Sequence, residues 1–166
     1  MENVTINKSI HLSEHFTLGE VTKSRHEGIY NIPSHVAIEN LKRVCSWLEE
    51  LRFTYNSLYC LKPGEDYETS ENVEPIVINS GFRSPELNKK VGGAPTSNHL
   101  TGCAVDIRVY GIEQAMRYAV ILMDYADETR QDYDELLIEQ NRSGHYWVHF
   151  AVRPKDNRRK TSFIMT

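Results

Sequence analysis

The most informative part of this chain is Ser80-Gly-Phe-Arg-Ser-Pro85 together with Ser97-Asn-His-Leu-Thr-Gly-Cys-Ala-Val-Asp106. It places a histidine and an aspartate seven residues apart among turn-forming and small residues. A second histidine, His149, follows in the strand-like run Tyr146-Trp-Val-His-Phe-Ala-Val152. Two histidines and a carboxylate commonly hold a zinc ion that keeps one coordination position open for water. Zinc lowers the pKa of that water to about 7, so the pattern favours a zinc hydrolase.

The segments around this stretch carry both helical and strand-like patterns. Helices are predicted over three ranges, namely 34–55, 87–91 and 112–125. Strands are predicted over four ranges, namely 75–79, 104–109, 135–139 and 146–152. The last two strands are expected to form an antiparallel pair joined by the polar loop 140–144. We therefore predict an α+β fold in which helices pack on one side of an antiparallel sheet.

Chain length and composition favour a single domain. The 166 residues suffice for one domain with a hydrophobic core, so residues 1–166 are interpreted as one unit. An N-terminal arm is expected over about 1–30, with a capping pattern from Thr17 to Glu20. The acidic segment 62–74 is predicted to be a loop, either a flexible insertion beside the cleft or a solvated connector.

The charge balance disfavours two classes of partner. The net charge of -4 and the absence of interleaved aromatic and basic residues argue against a nucleic-acid partner. No apolar run approaches the roughly 18 residues of a membrane span, so stable membrane insertion is not expected. The basic segment 153–160 can either bind an anionic surface or form a solvated tail, and we favour the tail. We expect a monomer.

The cysteine pattern does not predict a disulfide framework. Cys45, Cys60 and Cys103 are odd in number and form no CxxC pair. Cys103 lies between His99 and Asp106 in sequence, where its thiol can either bind zinc or pack as a small buried residue. We favour packing, because the residue stands between Gly102 and Ala104.

The same residues resemble the zinc D-Ala-D-Ala carboxypeptidase family, which also contains peptidoglycan endopeptidases. The similarity is greatest to the phage-endolysin-like branch, whose pattern S-G-[FY]-R-S…N-x-x-V-G-G-x-x-x-S-x-H-x-x-G-x-A-x-D is met from Ser80 to Asp106. Segments 16–33 and 134–149 also resemble that branch. The resemblance implies a hedgehog/D-Ala-D-Ala-peptidase-like fold and hydrolysis of an amide bond in peptidoglycan stem peptides or cross-links. It also implies bound Zn²⁺ with His99, Asp106 and His149 as ligands.

Two further residues acquire roles from this resemblance. Arg83 is expected to bind a substrate carboxylate or the oxyanion of the tetrahedral intermediate, because its planar fork suits both. The alternative for Arg83 is a surface ion pair, for example with Glu86. Ser97 is expected either to hydrogen-bond the substrate or to stabilise the turn before His99.

The general base is less clearly marked in the sequence. Many relatives place an acid three residues before the last ligand, and Tyr146 occupies that position here. Glu139, on the neighbouring predicted strand, is our first candidate and His145 our second. The remaining histidines lack such a context and are interpreted as non-ligands, namely His11, His15, His26 and His35.

The sequence is compatible with two other functions. The chain can be a catalytically silent, zinc-containing protein of the same fold that binds the cell wall or forms part of a virion. It can also be a metal-dependent peptidase or amidase acting on small dipeptides in the cytosol. The N-terminus Met1-Glu-Asn-Val-Thr-Ile-Asn-Lys8 shows no signal-peptide pattern. We therefore expect a protein that is cytoplasmic as synthesised and reaches the wall through a holin or lysis, unless an export signal is missing from this sequence.

Overall fold

The computed structural model describes residues 6–166 of the chain. Helices in this part of the chain are α1 (Leu18–Thr22), α2 (His35–Tyr59), α3 (Pro85–Lys90), α4 (Ile112–Thr129) and a short 3-10 helix (Asn98–Thr101). The strands are β1 (Ile78–Ser80), β2 (Ala104–Arg108), β3 (Glu135–Gln140), β4 (Tyr146–Ala151) and β5 (Lys160–Met165). These strands form one sheet in the order β1-β2-β4-β3-β5.

The sheet is mostly antiparallel. Strands β1 with β2, β2 with β4, and β3 with β4 pair antiparallel, whereas β5 pairs parallel with β3 at the edge. Helix α2 packs against α4 and β2, and α4 packs against β3 and β4. The predicted α+β fold with helices on an antiparallel sheet is confirmed, while the parallel strand β5 was not predicted.

Strand alternation gives the sheet two different faces. One face consists of apolar side chains of the hydrophobic core, namely Val105, Ile107, Leu136, Ile138, Val148 and Phe150. Trp47 of α2 packs on this face, with its ring centroid 5.4 Å from that of Phe150. The other face carries Asp106, Glu135, Glu139 and His149, because these residues alternate with the core residues along the same strands.

Local sequence signals set the starts of the helices. The Thr17–Glu20 capping box is present at α1, with each side chain bonded to the backbone of the other residue. Ser34 caps α2 by accepting a hydrogen bond from the Ala37 N–H, and this helix ends four residues beyond the predicted Tyr55. Strand β1 is shorter than predicted, because only Ile78–Ser80 of the apolar segment pairs with β2.

The N-terminal segment is part of the core from Leu12 onward. Phe16, Leu18 and Val21 are almost fully buried in the main hydrophobic cluster. The first five residues of the predicted arm lie outside the described residues. Segment 62–74 forms turns without helix or strand, as predicted, and Asn56 of α2 bonds to the Glu74 backbone at its end.

The prediction of a tail over 153–160 is wrong, although six of these eight residues are exposed to solvent, as predicted. Arg153 and Arg158 both ion-pair with Asp134, which is fully buried, and Arg159 pairs with Asp127 and Asp132. A buried carboxylate needs such partners, because an unpaired charge in the interior is costly. The segment therefore leads directly into β5 instead of leaving the domain.

Two further findings concern the membrane and the cysteines. Within residues 6–166, none of the helices combines the length and the apolar character that crossing a membrane requires. All three cysteines are free, and Cys45 and Cys103 are buried. Burial raises the pKa of the Cys45 thiol to about 12, which keeps this thiol unreactive near neutral pH.

Candidate metal centre

His99 is held in a fixed orientation by the loop that contains it. The side chain of Ser97 caps the 3-10 helix by accepting a hydrogen bond from the His99 N–H. The Nδ1 atom of His99 lies 2.6 Å from the carbonyl oxygen of Gly81. Because a carbonyl only accepts, Nδ1 must carry a proton, and Nε2 is the ring nitrogen that remains available to a metal.

Gly102 is required for this loop to approach α2. Its φ is 74°, in the left-handed region, and a Cβ built on it would lie 2.5 Å from the carbonyl oxygen of Ala37. Asn40 of α2 donates a hydrogen bond to the Thr101 carbonyl at 2.9 Å. The turn that contains His99 is therefore tied directly to the longest helix of the domain.

Strand register brings the two remaining predicted ligands together. Asp106 of β2 pairs directly with His149 of β4, so both side chains project from the same face. The Oδ1 atom of Asp106 lies 2.9 Å from His149 Nδ1, and Oδ2 lies 3.3 Å from His99 Nε2. The two imidazole centroids are 5.1 Å apart. The sequence-predicted set of His99, Asp106 and His149 thus forms one cluster.

The cluster fits a tetrahedral metal ion. One ligand atom from each residue lies within 4.8 Å of the others. Metal bonds of about 2.0–2.1 Å in a tetrahedron separate the ligand atoms by about 3.3 Å, close to the distances between Asp106 and each histidine. Imidazole nitrogens and a carboxylate suit zinc, and the exposed fractions of 3% for His99 and 10% for His149 keep bulk water away. Cys103 is not part of the cluster.

Charges within the cluster compensate one another. Burial opposes ionisation of Asp106, but the charge and hydrogen bonds of His99 and His149 outweigh it and hold the carboxyl pKa far below its usual range. Burial likewise disfavours a protonated His149, but hydrogen bonds to Asp106 and Glu135 outweigh it and raise the imidazole pKa to about 9.

Arg83 lies at the edge of the cluster rather than at the surface. Its Nη2 donates to Asp106 Oδ2 at 2.7 Å, and its Nε donates to Ser80 Oγ at 2.9 Å. The alternative of an ion pair with Glu86 is therefore wrong. The Arg83 N–H also donates to the His99 carbonyl at 3.0 Å, so the backbone of Arg83 is fixed relative to a predicted ligand.

Two glutamates flank His149 on the neighbouring strand. Leu137 pairs directly with His149, so Glu135 and Glu139 occupy the two diagonal positions, about 7 Å away between Cβ atoms. Glu135 Oε2 lies 3.3 Å from His149 Nε2. This hydrogen bond is the main reason why the pKa of Glu135 falls to about 2. By contrast, burial raises the pKa of Glu139, and within residues 6–166 its carboxylate makes no hydrogen bond or ion pair.

The contact of Glu135 was missed in the sequence. Alternation along Glu135-Leu-Leu-Ile-Glu139 puts both glutamates on one face, but only the register with β4 reveals which residue meets His149. That register depends on the pairing of Gln140 with Tyr146 across the loop. The loop length was available from the sequence, whereas the exact pair that closes the hairpin was not.

The other sequence candidates lie farther from the cluster or make structural contacts. His145 is exposed in the turn before β4, with its N–H bonded to Asn141, and four residues of strand separate it from His149 by roughly 13 Å. Tyr146 points to the opposite face from His149 and packs near Phe163. Ser97 makes the turn-stabilising hydrogen bond and also lines the cavity that contains Glu139.

A buried polar network supports the cluster from β3. Asn98, next to His99, donates to Asp134 at 2.7 Å and to Glu135 at 3.1 Å, and it accepts from Arg153. Arg158 donates two hydrogen bonds to Asp134, at 2.9 and 2.8 Å. The network links the loop of one ligand to the strand that carries Glu135. No sequence spacing signalled it, because its members are far apart along the chain.

The geometry brings together three side chains able to hold a metal ion, with the unpaired Glu139 carboxylate on the same sheet face. Residues 65–138 match the model of a protein family described as Peptidase M15. The match covers a little under half of the chain and includes His99 and Asp106, and it supports the resemblance to zinc peptidases of this family. A search of curated proteins gave no match.

Proposed function

We propose that this chain is a zinc-dependent metallopeptidase that hydrolyses an amide bond in peptidoglycan stem peptides or cross-links. Carboxypeptidase and endopeptidase action are both compatible with the site. The observation that carries the proposal is the cluster of His99, Asp106 and His149 with the unpaired Glu139 on the same sheet face. The Peptidase M15 match agrees with it independently of the geometry.

Zinc would be held by His99 Nε2, the Asp106 carboxylate and His149 Nδ1, which are the atoms that face one another. When bound, zinc supplies Lewis acidity that polarises the scissile carbonyl and lowers the pKa of a water to about 7. A cavity of about 470 Å³ opens beside this cluster, with Glu135, Glu139 and Ser97 in its wall. The cavity is large enough for a few residues of a peptide.

Glu139 is the proposed general base. A carboxylate with a raised pKa and without a hydrogen-bonding partner can accept a proton from water and pass it to the leaving amine. Position 146 cannot supply this group, because strand alternation turns Tyr146 to the other face. We place the base on β3 for that reason.

Glu135 is the proposed positioning residue for His149. Its carboxylate accepts the Nε2–H of the imidazole, which leaves Nδ1 directed at Asp106 and fixes the tautomer. Arg83 is proposed to hold a substrate carboxylate or the oxyanion. The same guanidinium pairs with Asp106, so it lies beside one of the proposed metal ligands.

The proposed substrate lies in the cell wall, and the phage-endolysin-like branch is the proposed relationship. Such an enzyme acts as a monomer on the wall after release through a holin or lysis, or after export. A silent wall-binding protein has one observation in its favour, the tyrosine at position 146. Glu139 on the same face as His149 favours the enzyme instead.

Mass spectrometry of digested peptidoglycan tests the proposal. Purified sacculi are incubated with the zinc-loaded protein, with and without a chelator, and the released peptides identify the bond that is cut. Chelator-sensitive release of defined peptides is expected. Stoichiometric zinc binding without release would support the silent wall-binding protein, and cleavage of free dipeptides alone would support the cytosolic peptidase.

A further inference from the structure

A second cavity, of about 510 Å³, is lined in part by Arg83. Lys23, Arg25 and His26 form one wall, and Ser80 with Arg83 forms the wall that borders the metal cluster. Arg83 therefore lines this cavity and also donates a hydrogen bond to Asp106 of the cluster. The cavity is within reach of a peptide bound at the cluster, because a single side chain contacts both.

The wall that carries the cations is fixed to the loop of Arg83. The Phe82 N–H donates to the Val21 carbonyl at 2.7 Å, and a Cβ on Gly81 would lie 2.3 Å from the same oxygen. Asn31 donates to the Thr22 carbonyl at 2.9 Å and to the Phe82 carbonyl at 2.8 Å. The chain just before Lys23 thus cannot move independently of Arg83.

The charge in this cavity is unbalanced. Among residues 6–166, none of the residues that line it carries a carboxylate, and neither Lys23 nor Arg25 takes part in an ion pair. The cavity beside Glu139 differs, because its cations Arg153 and Arg158 are already paired with Asp134. Although the chain has a net charge of -4, the unpaired side chains of Lys23 and Arg25 give this cavity a positive potential that attracts anions.

We propose that the cavity formed by Lys23, Arg25 and Arg83 binds a carboxylate of the substrate peptide and so selects peptides with an acidic group next to the cleaved bond. This inference rests on the proposed function, whose substrate it narrows. Arginine recognises carboxylates through paired hydrogen bonds, and lysine adds a mobile point charge. Arg83 borders both the metal cluster and the cavity, so the selected carboxylate lies within one or two residues of the bond that is cut.

Stem pentapeptides with matched charges test the inference. The α-carboxylate of D-Glu and the terminal carboxylate of D-Ala are each prepared free or as the amide, and kcat and KM are measured for all four peptides. One of the two free carboxylates is expected to lower KM. The variant Lys23→Ala/Arg25→Ala should raise KM for that peptide by about 10- to 100-fold, the loss expected for charged hydrogen bonds, and leave its amide nearly unchanged.

Two further variants separate the cavity from general charge effects. Lys89→Ala/Lys90→Ala removes the same charge from exposed positions on α3 that do not line the cavity, and it should leave KM unchanged. Lys23→Glu/Arg25→Glu should reverse the preference toward the amidated peptide. Lys23 and Arg25 are exposed, so thermal melting should be unaltered in every variant.

The outcomes distinguish the inference from the proposed function. Cleavage of free and amidated peptides with equal KM, or the same loss in the α3 control, overturns the inference and leaves the peptidase intact. If none of the four pentapeptides is cleaved, calorimetric titration of the same peptides decides the inference, and digestion of intact sacculi decides the proposed function separately. Binding that needs the free carboxylate and both cations supports it, and equal or absent binding overturns it.

Discussion

The two faces of the sheet differ although they are built from the same strands. On β2, Asp106 belongs to the metal cluster while its neighbour Ile107 is fully buried in the hydrophobic core. On β4, His149 likewise lies on the face of the cluster, whereas its neighbour Val148 is fully buried in the hydrophobic core. Side-chain alternation alone separates them, so one strand serves stability on one face and chemistry on the other.

The difference between the two faces predicts which substitutions should affect stability and which should affect function. Apolar contacts with α2 and α4 stabilise one face of the sheet. On the other face, ion pairs between ionisable side chains compensate the buried charges. Changes on the polar face should therefore alter metal binding and turnover more than folding. Changes on the apolar face should do the reverse.

The largest effect is expected from the ligands. His149→Ala removes one of the three proposed metal ligands, so it should abolish both stoichiometric zinc binding and peptide hydrolysis. Metal content after gel filtration and release of wall peptides are the measurements. His145→Ala is the matched control, four residues away and exposed, and loss of activity there would transfer the role of base from Glu139 to His145.

Glu139→Gln should reduce kcat by about 10²- to 10⁴-fold, the range for loss of a general base. Zinc should stay bound, because Glu139 is not part of the ligand cluster. Steady-state kinetics and metal analysis are made on the same preparation, with the exposed Glu86→Gln as control. Unchanged kcat in Glu139→Gln would refute this assignment.

Ile107→Ala tests the apolar face beside the cluster. Removal of this fully buried side chain should lower the free energy of unfolding by about 2–5 kcal/mol. Zinc affinity of the folded protein should be retained, because Ile107 points away from Asp106. Urea denaturation and zinc titration measure the two quantities, and a loss of affinity without a loss of stability would break the separation of the faces.

Glu135→Gln should weaken zinc binding by about 10- to 100-fold, as expected for a group that orients a metal-binding histidine. The amide oxygen can still accept from His149 Nε2, but without the negative charge. Competition with a chromogenic chelator measures the affinity. An affinity equal to that of the unmodified protein would show that His149 needs no partner on β3.

The smallest effect is expected at Asp134, which lies outside the proposed ligand set and affects the stability of the fold at acid pH. Burial opposes ionisation of Asp134, but hydrogen bonds from Arg158 and Asn98 outweigh it and lower the carboxyl pKa. A lowered folded pKa stabilises the protein above the unfolded value of about 3.9, and this stability is lost as the pH falls below it. Asp134→Asn should therefore flatten the fall in unfolding free energy between pH 5 and about pH 2, measured by urea titration. An unchanged slope would contradict this contribution.

Local patterns predicted much of the fold. The capping box at Thr17 and Glu20, the Ser34 cap and the apolar spacing of α2 and α4 depend on residues within a few positions of one another. The proposed ligands were identified from spacing and family resemblance, and the structure brings all three together. Here the required information was local or carried by a motif.

Long-range contacts account for what was missed. Strand β5 pairs with β3 in parallel, and the buried Asp134 forms ion pairs with Arg153 and Arg158, so an exposed basic segment that was expected to be a tail is attached to the sheet. The contact of Glu135 with His149 likewise depends on strand register. These features are set by pairings between distant segments that no local pattern reveals.

The most direct test of the metal centre is anomalous diffraction at the zinc edge from crystals of the zinc-loaded protein. We expect one anomalous peak, from a zinc ion about 2.0–2.2 Å from His99 Nε2, the Asp106 carboxylate and His149 Nδ1. A zinc ion bound elsewhere, for example at Cys103, or no peak between these three side chains, would contradict it.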